Sequence, residues 1–287
     1  MIMLEPRLPP ELEREIFRTT AFLHPGRIPT LLLVAQRVKI WVEPFLYQIV
    51  VFTPGALFDG VLSSIKPFTS MQFRPATRTK PRSFFRDHVR HLCIGLQDLP
   101  AEDVEEVLSS CSDVTNLLLF VDLDPRLFDL VARMPLQRLC TDLRGLFAEG
   151  IDLTHPLFTN ITHFDIIDST ASMEDWAGLA LLPSLTHLAF NDDESLHAFR
   201  GALENCKSLL VLVVLCHPSN PELSTFASDV RFVVVRSASM RYRQDWQRGA
   251  RGGTDYWRTA ESFIARRRSG NIDPLCFAVN HAWDAAD

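Results

Sequence analysis

Apolar residues recur along this chain in short stretches of one shape, apolar–x–x–apolar–x–apolar. Seven copies begin at Val89, Val114, Leu136, Ile161, Leu185, Leu209 and Val230, so successive copies start 25, 22, 25, 24, 24 and 21 residues apart. Apolar residues alternating over a few positions predict a β-strand. Between copies the period lengthens to that of a helix. Ala101–Cys111 places Val104, Val107 and Leu108 on one face, and Ser195–Cys206 does the same with Leu196, Phe199 and Leu203. Pro125 suits the first helical position of 125–133; Ser172, with Glu174 and Asp175 behind it, suits the start of a helix over 173–183. Each unit thus reads strand, turn, helix, turn. One unit cannot bury its own apolar faces, but stacked neighbours can, which predicts an α/β solenoid with parallel strands on its concave face and helices outside.

Strand alternation sends the fourth and sixth motif positions into the core and the third and fifth outward. The outward ladder is His91, Asn116, Arg138, His163, His187, Val211 and Phe232, and beside it Cys93, Leu118, Cys140, Asp165, Ala189, Val213 and Val234. This predicts a partner-binding groove that uses His91, Asn116, Arg138, His163, Asp165 and His187, with Asp142, Asn191 and Asp192 at the strand exits. Further acids at the same edge are Asp122, Asp124, Asp168, Asp193 and Glu194. They read either as caps of the following helices or as an acidic rim that attracts basic partner segments. His163 and His187 fall on adjacent strands, roughly 5 Å apart. A metal would need Asp165 as a third ligand; stacked histidines are the simpler reading, and no metal or cofactor is expected.

The repeat resembles the leucine-rich-repeat family. Leu182-Pro183-Ser184-Leu185-Thr186-His187-Leu188 is similar to its common wording, and the resemblance covers residues 88–236. The position that often carries a stacked asparagine in that family holds Gln97, Asp122, Arg144, Ser169, Asp193 and His217, which implies an irregular leucine-rich-repeat solenoid.

Residues 1–47 differ in kind. Leu8-Pro9-Pro10-Glu11-Leu12 opens a helix with Leu12, Ile16 and Phe17 as its apolar stripe. Pro25, Gly26 and Pro29 interrupt it, a second helix is predicted from Thr30 to Trp41, and Pro44 starts a short third element. The phrase Leu-Pro-x-Glu-Leu-x-x-x-Ile-Phe, an apolar helix and then Trp resembles an F-box, in a combination with leucine-rich repeats that is frequent in fungi. Ala35-Gln36-Arg37-Val38 departs from the family, which usually has an aromatic after the basic residues. The resemblance implies docking on a Skp-family adaptor of a cullin-RING ubiquitin ligase through Leu8, Pro9, Leu12, Ile16, Phe17, Leu32, Val34 and Trp41. It also implies a protein substrate held by the repeats. The same apolar residues could instead cap the open end of the solenoid. Residues 48–88 read as a degenerate first repeat, with a strand at 48–53 and a helix at 54–66, followed by a mobile basic and proline-rich loop over 67–83.

Composition narrows the function. The chain has 287 residues, 47% hydrophobic content and a net charge of −6, as expected of a globular protein rather than a dedicated nucleic-acid binder. Its six cysteines form no C-x-x-C pair, which predicts small apolar core residues. No signal peptide and no stretch long enough for a bilayer is read, so a cytoplasmic or nuclear location and no membrane partner are expected. The C-terminal segment 237–287 stands apart. Between Arg236 and Arg268 there are nine arginines against Asp245, Asp255 and Glu261. A helix is predicted from Asp255 to Arg268, after a flexible Gly249–Gly253, and Pro274–Trp283 should tuck onto the body. The segment reads as a cover for the solenoid end, with contact to the acidic rim or to nucleic acid as alternatives. No nucleophile elbow, phosphate loop or metalloprotease motif occurs, so no enzyme is expected. The sequence therefore points to a substrate-recognition subunit of an SCF-type ligase, a monomer within a larger complex. The alternatives are a repeat scaffold with no ligase link and nucleic-acid contact through the arginine-rich segment.

Overall fold

The structure, a computed structural model, describes residues 8–52, 70–81, 83–95, 100–120, 124–147, 150–167, 177–216, 220–236 and 242–281. Its centre is one sheet of nine parallel strands in sequence order: β1 (Ile49–Phe52), β2 (His91–Gly95), β3 (Asn116–Phe120), β4 (Arg138–Thr141), β5 (His163–Ile166), β6 (His187–Phe190), β7 (Val211–Cys216), β8 (Phe232–Arg236) and β9 (Ala278–Asn280). The register from β2 to β7 pairs equal motif positions: His91↔Asn116↔Arg138↔His163↔His187↔Val211. The fold is an α/β solenoid-like stack.

The seventh copy is displaced by one residue. Leu212 pairs with Phe232 and Val213 with Val233, so Phe232 and Val234 face the core, and Val233 and Val235 face outward. All four side chains are fully buried, which left alternation nothing to choose between.

Helices α1 (Pro10–Leu23), α2 (Ile28–Leu31) and α3 (Gln36–Val42) precede the sheet and pack around Ala21, Ile28, Val38 and Val42. The single helix expected over 30–41 is thus two. Leu32–Val34 form a turn and Ala35 is extended (φ −164°, ψ 157°) because Leu33 and Val34 have no core to enter. The loop expected over 67–83 is also corrected, since α4 (Ser70–Thr79) inserts the fully buried Phe73 against Phe85 of α5 (Phe84–His88), with ring centroids 4.8 Å apart.

On the convex side lie α6 (Ala101–Ser110), α7 (Pro125–Ala132), α8 (Leu143–Leu146) and α9 (Leu196–Asn205). Short 3-10 turns at Pro156–Phe158, Ala177–Leu181 and Pro221–Phe226 replace helices in other repeats. Asp124 caps α7 by accepting from Arg126 N, with Pro125 behind it as expected. The convex core joins fourth- and sixth-position residues such as Leu92, Ile94, Phe164 and Phe190 to Val104, Leu127, Phe158, Leu179, Phe199 and Leu223. Gln97, Asp122, Asp168, Ser169, His217, the helix read at 54–66 and the first half of that at 173–183 lie outside the described residues.

The concave side is covered too. Helices α10 (Tyr242–Ala250) and α11 (Tyr256–Arg268) lie on it, and the chain then returns as β9 beside β8. Gly249–Gly253, expected to be flexible, is a closed turn. Gly253 N donates to Arg248 O at 3.0 Å, and Gly252 adopts φ +80°. Seven connections, from β1 to β8, run over the convex core. The eighth continues in the same direction along the sheet but crosses the concave face, so its hand is opposite to theirs.

Candidate functional site

Two surfaces carry the residues singled out by the sequence, and they differ in accessibility. At the N-terminal helices, apolar side chains stand in solvent. Leu8 (45%) stands just before α1, Leu12 (54%) and Ile16 (52%) follow at i and i+4 on it, and Leu33 (86%) and Val34 (56%) project from the turn after α2. Pro9 is exposed as well. Phe17, Leu32 and Trp41 are partly buried and pack on the small core of this segment. Glu13 on α1 holds Arg37 on α3 in a two-point ion pair (2.8 and 2.9 Å), which ties the helices together. Of the eight residues read for an adaptor, Leu8, Pro9, Leu12, Ile16 and Val34 are therefore presented. Phe17, Leu32 and Trp41 hold the scaffold that presents them.

The concave ladder is not an open groove. Helices α10 and α11 bury Cys93, Leu118, Cys140, Ala189, Val211, Val213 and Val233 beneath Tyr242, Tyr256, Trp257, Ala260, Phe263 and Ile264. Ladder residues read as partner-binding contact the chain's own C-terminal segment instead. Asn116 accepts from Trp246 Nε1 (2.9 Å) and lies 3.2 Å from His91 Nδ1. Arg138 approaches Asp255 (3.6 Å), and His187 Nε2 approaches Glu261 (3.0 Å). His163 and His187 stack with centroids 4.0 Å apart and planes within 4°, and the Trp257 ring packs edge-on against both. Thr162 and Thr186 hold their Nδ1 atoms at 2.9 and 2.8 Å. Among the described residues no group of three or more His, Cys, Asp or Glu side chains could hold a metal ion.

Asp165 is the polar centre of this layer. It is 3% exposed, its Oδ2 accepts from the hydroxyls of both Tyr242 and Tyr256, and its Oδ1 has no hydrogen-bond partner among the described residues. Burial pushes its pKa up from 3.8 to about 6, against the lowering by the two tyrosines and Cys140. The adjoining cavity, lined by Arg138, His163, Asp165, Trp246 and Trp257 among others, measures about 30 Å³. That is room for water and not for a ligand.

The folded state binds the Asp165 proton more tightly than the unfolded chain, so its contribution to stability is present below pH 4 and lost as pH rises through about 6. Asp165→Asn is accordingly expected to stabilise the fold by roughly 1–3 kcal/mol at pH 7.5. The gain should vanish below pH 4, and thermal melts at the two pH values check this; an equal loss at both would refute it. Burial, and then the Arg138 charge, lowers His91 to about 4 and His163 to about 2. Their contribution runs the other way and is lost as pH falls below 6.5.

The remaining polar candidates lie at the strand exits and are half-buried. Asp142 caps α8 through Arg144 N (2.8 Å), and Asp192 accepts from Glu194 N and Ser195 N (2.8 and 2.9 Å). Asp193 accepts from Asn220 N in the next repeat (2.9 Å). Asn191 sits beside them at the exit of β6. Capping accounts for Asp124 and Asp142, and the turn ahead of α9 accounts for Asp192. Several arginines of the basic segment are also engaged. Arg248 meets Asp245 (3.4 Å), Arg258 donates to Gly252 O (2.7 Å), and Arg267 is buried among backbone carbonyls.

Sequence reasoning missed α10. Its residues YRQDWQRGA are mostly polar, with only Tyr242 and Trp246 as an apolar face, and the groups it buries include Asp245 and Arg248. Asp245 accepts from Tyr256 N (3.0 Å) and meets His281 Nε2 at 2.6 Å. The available signal was the fifth-position ladder itself, which apart from Asp165 is Cys, Leu, Cys, Ala and Val, too apolar for a solvated face. No helix among the described residues is long and apolar enough to cross a membrane. No protein-family model matches the chain, and no curated protein or solved structure matches it either.

Proposed function

We propose that this chain is a protein-binding subunit whose N-terminal helices dock a Skp-family adaptor, so that it serves an SCF-type ubiquitin ligase as a substrate receptor. The observation that carries the reading is the exposure of Leu8, Leu12, Ile16, Leu33 and Val34 on a folded segment that already has its own core. Exposed apolar side chains concentrated in one short segment mark an interaction surface. The resemblance of Leu8–Phe17 to an F-box names the partner. Catalysis would then be by proximity alone, with another subunit performing the transfer. The concave ladder is occupied by the chain's own helices, so the substrate is assigned to the outer surfaces and not to that face.

Leu12→Asp with Ile16→Asp is expected to abolish co-purification with a Skp-family adaptor while leaving the melting temperature within a few degrees. Both residues are more than half exposed, which separates the test from unfolding. Adaptor capture that survives both substitutions would remove the F-box reading. The runner-up is an interaction scaffold with no ligase link. It is favoured by Val38, which stands where the family pattern has an aromatic and is buried in the segment's own core, and by Arg37, which pairs with Glu13 inside the segment. That reading predicts capture of a different partner through the same face.

A further inference from the structure

Behind α1 lies a cleft of about 550 Å³, between the N-terminal helices and the entry to β2. It falls within the size range of binding pockets. Ile40, Trp41 and Phe45 supply its apolar lining, and Arg14, Arg18 and Arg90 supply charge. Arg90 is fixed in place by the carbonyls of Arg86, Asp87 and Val89 at 2.7–2.9 Å, which neutralise none of its charge. The Arg18 guanidinium stands 5.9 Å over the Phe45 ring. Asp87 is the one carboxylate among the described residues of the wall, and it is paired with Arg86 at 3.0 Å. Burial lowers the His88 pKa, so that ring is neutral near pH 7. A concentration of positive charge with an aromatic floor is thus set into a molecule whose net charge is −6.

We infer that this cleft is a second docking site, for an acidic segment of a partner protein that carries an aromatic or aliphatic anchor. The arginines select negative charge and bring it in quickly. Trp41, Phe45 and the 63%-exposed Ile40 reward an apolar side chain. A nucleic acid fits less well, because the cationic region is a bounded cleft and the acidic body would repel the rest of a polyanion. The site does not rest on the adaptor reading. Residues two apart on a helix point about 200° apart, so Arg14 and Arg18 face away from Leu12 and Ile16. A partner on each face can bind at once.

The test is fluorescence anisotropy with the full chain and a labelled hexapeptide, Glu-Glu-Phe-Leu-Glu-Glu. Binding in the micromolar range is expected. It should weaken at least about tenfold with Arg14→Glu/Arg18→Glu, fall with added salt, fall when the two apolar residues become alanine, and be absent for the lysine analogue. Leu12→Asp/Ile16→Asp should leave it unchanged, which separates failure here from failure of the adaptor reading. Thermal melts confirm that the variants are folded, and Arg14→Ala/Arg18→Ala serves if the charge reversal is not. Absence of binding, or indifference to the arginine substitutions, overturns the proposal. So does equal competition by pyrophosphate or poly-uridylate with no dependence on the apolar pair, which would mark a general anion site.

Discussion

A chain ending at Arg236 is expected to lose its monomeric, cooperatively melting state. The cut removes α10, α11 and β9 and lays bare one entire face of the sheet. The apolar part of that face is Val51, Cys93, Leu118, Cys140, Ala189, Val211, Val213, Leu215, Val233 and Val235, each 5% exposed or less in the full chain, with Asn116, Arg138, His163, Asp165 and His187 set among them. Parallel sheets persist when both faces are covered, and an apolar surface of this extent self-associates. The cut also frees the edge of β8, whose outer partner is β9. Size-exclusion chromatography, dye binding to exposed apolar surface and a denaturant titration of residues 1–236 check the expectation. A well-behaved monomer with an unchanged transition midpoint would show that the C-terminal segment is an appendage and not part of the core. It would also reinstate the open groove that the repeat pattern suggests.

The second large effect is expected at Arg267. Its guanidinium, on a side chain buried with the rest of the residue at 4% exposure, donates to five carbonyl groups. They are Ala227 (2.6 Å), Asp229 (3.3 Å), Val230 (3.3 Å), Phe232 (3.0 Å) and Pro274 (2.6 Å). Those carbonyls belong to the turn before β8, to β8 itself and to the turn before β9. One planar group therefore joins the last convex turn, β8, the last concave helix and the turn that leads into β9. Arg267→Ala leaves several acceptors buried and unpaired and should cost about 3–5 kcal/mol. Arg267→Lys should recover only part of this, since an ammonium has three donors and no fork. Urea unfolding of the three proteins decides. A loss under about 1 kcal/mol for alanine would mean that water replaces the guanidinium freely.

Much of the architecture was legible because repetition is a strong constraint. Six copies aligned by their apolar positions yield the strand pairing from β2 to β7 residue by residue, and α6, α7, α9 and α11 fall within a residue or two of their apolar or capping signals. Reading failed where a segment carried no alternation. Phe232–Val235 is apolar throughout, so its register is set by neighbours. Phe73 is one of two aromatics in a stretch rich in prolines and bases, and its partner Phe85 supplies the reason for α4. The concave face was illegible for a different cause. Asn116, Asp165 and His187 look like solvent-facing groups until Trp246, Tyr242, Tyr256 and Glu261 meet them from 74 to 130 residues away. Complementary polar partners at such separation leave no periodic trace. At the N-terminal segment the motif identified the right helix, but only packing sorts Phe17, Leu32 and Trp41 from the side chains that stand free.

The oppositely wound last connection bears on how the protein is made. Everything as far as β8 emerges from the ribosome before the helices that will cover it, and each earlier coil can settle against its predecessor as it appears. The concave side must therefore remain wet and unprotected throughout synthesis of the stack, and is sealed in one late event when α10, α11 and β9 arrive. A holding chaperone that favours flat aliphatic surfaces would find its substrate in that interval, and stalling translation near Arg236 would prolong it.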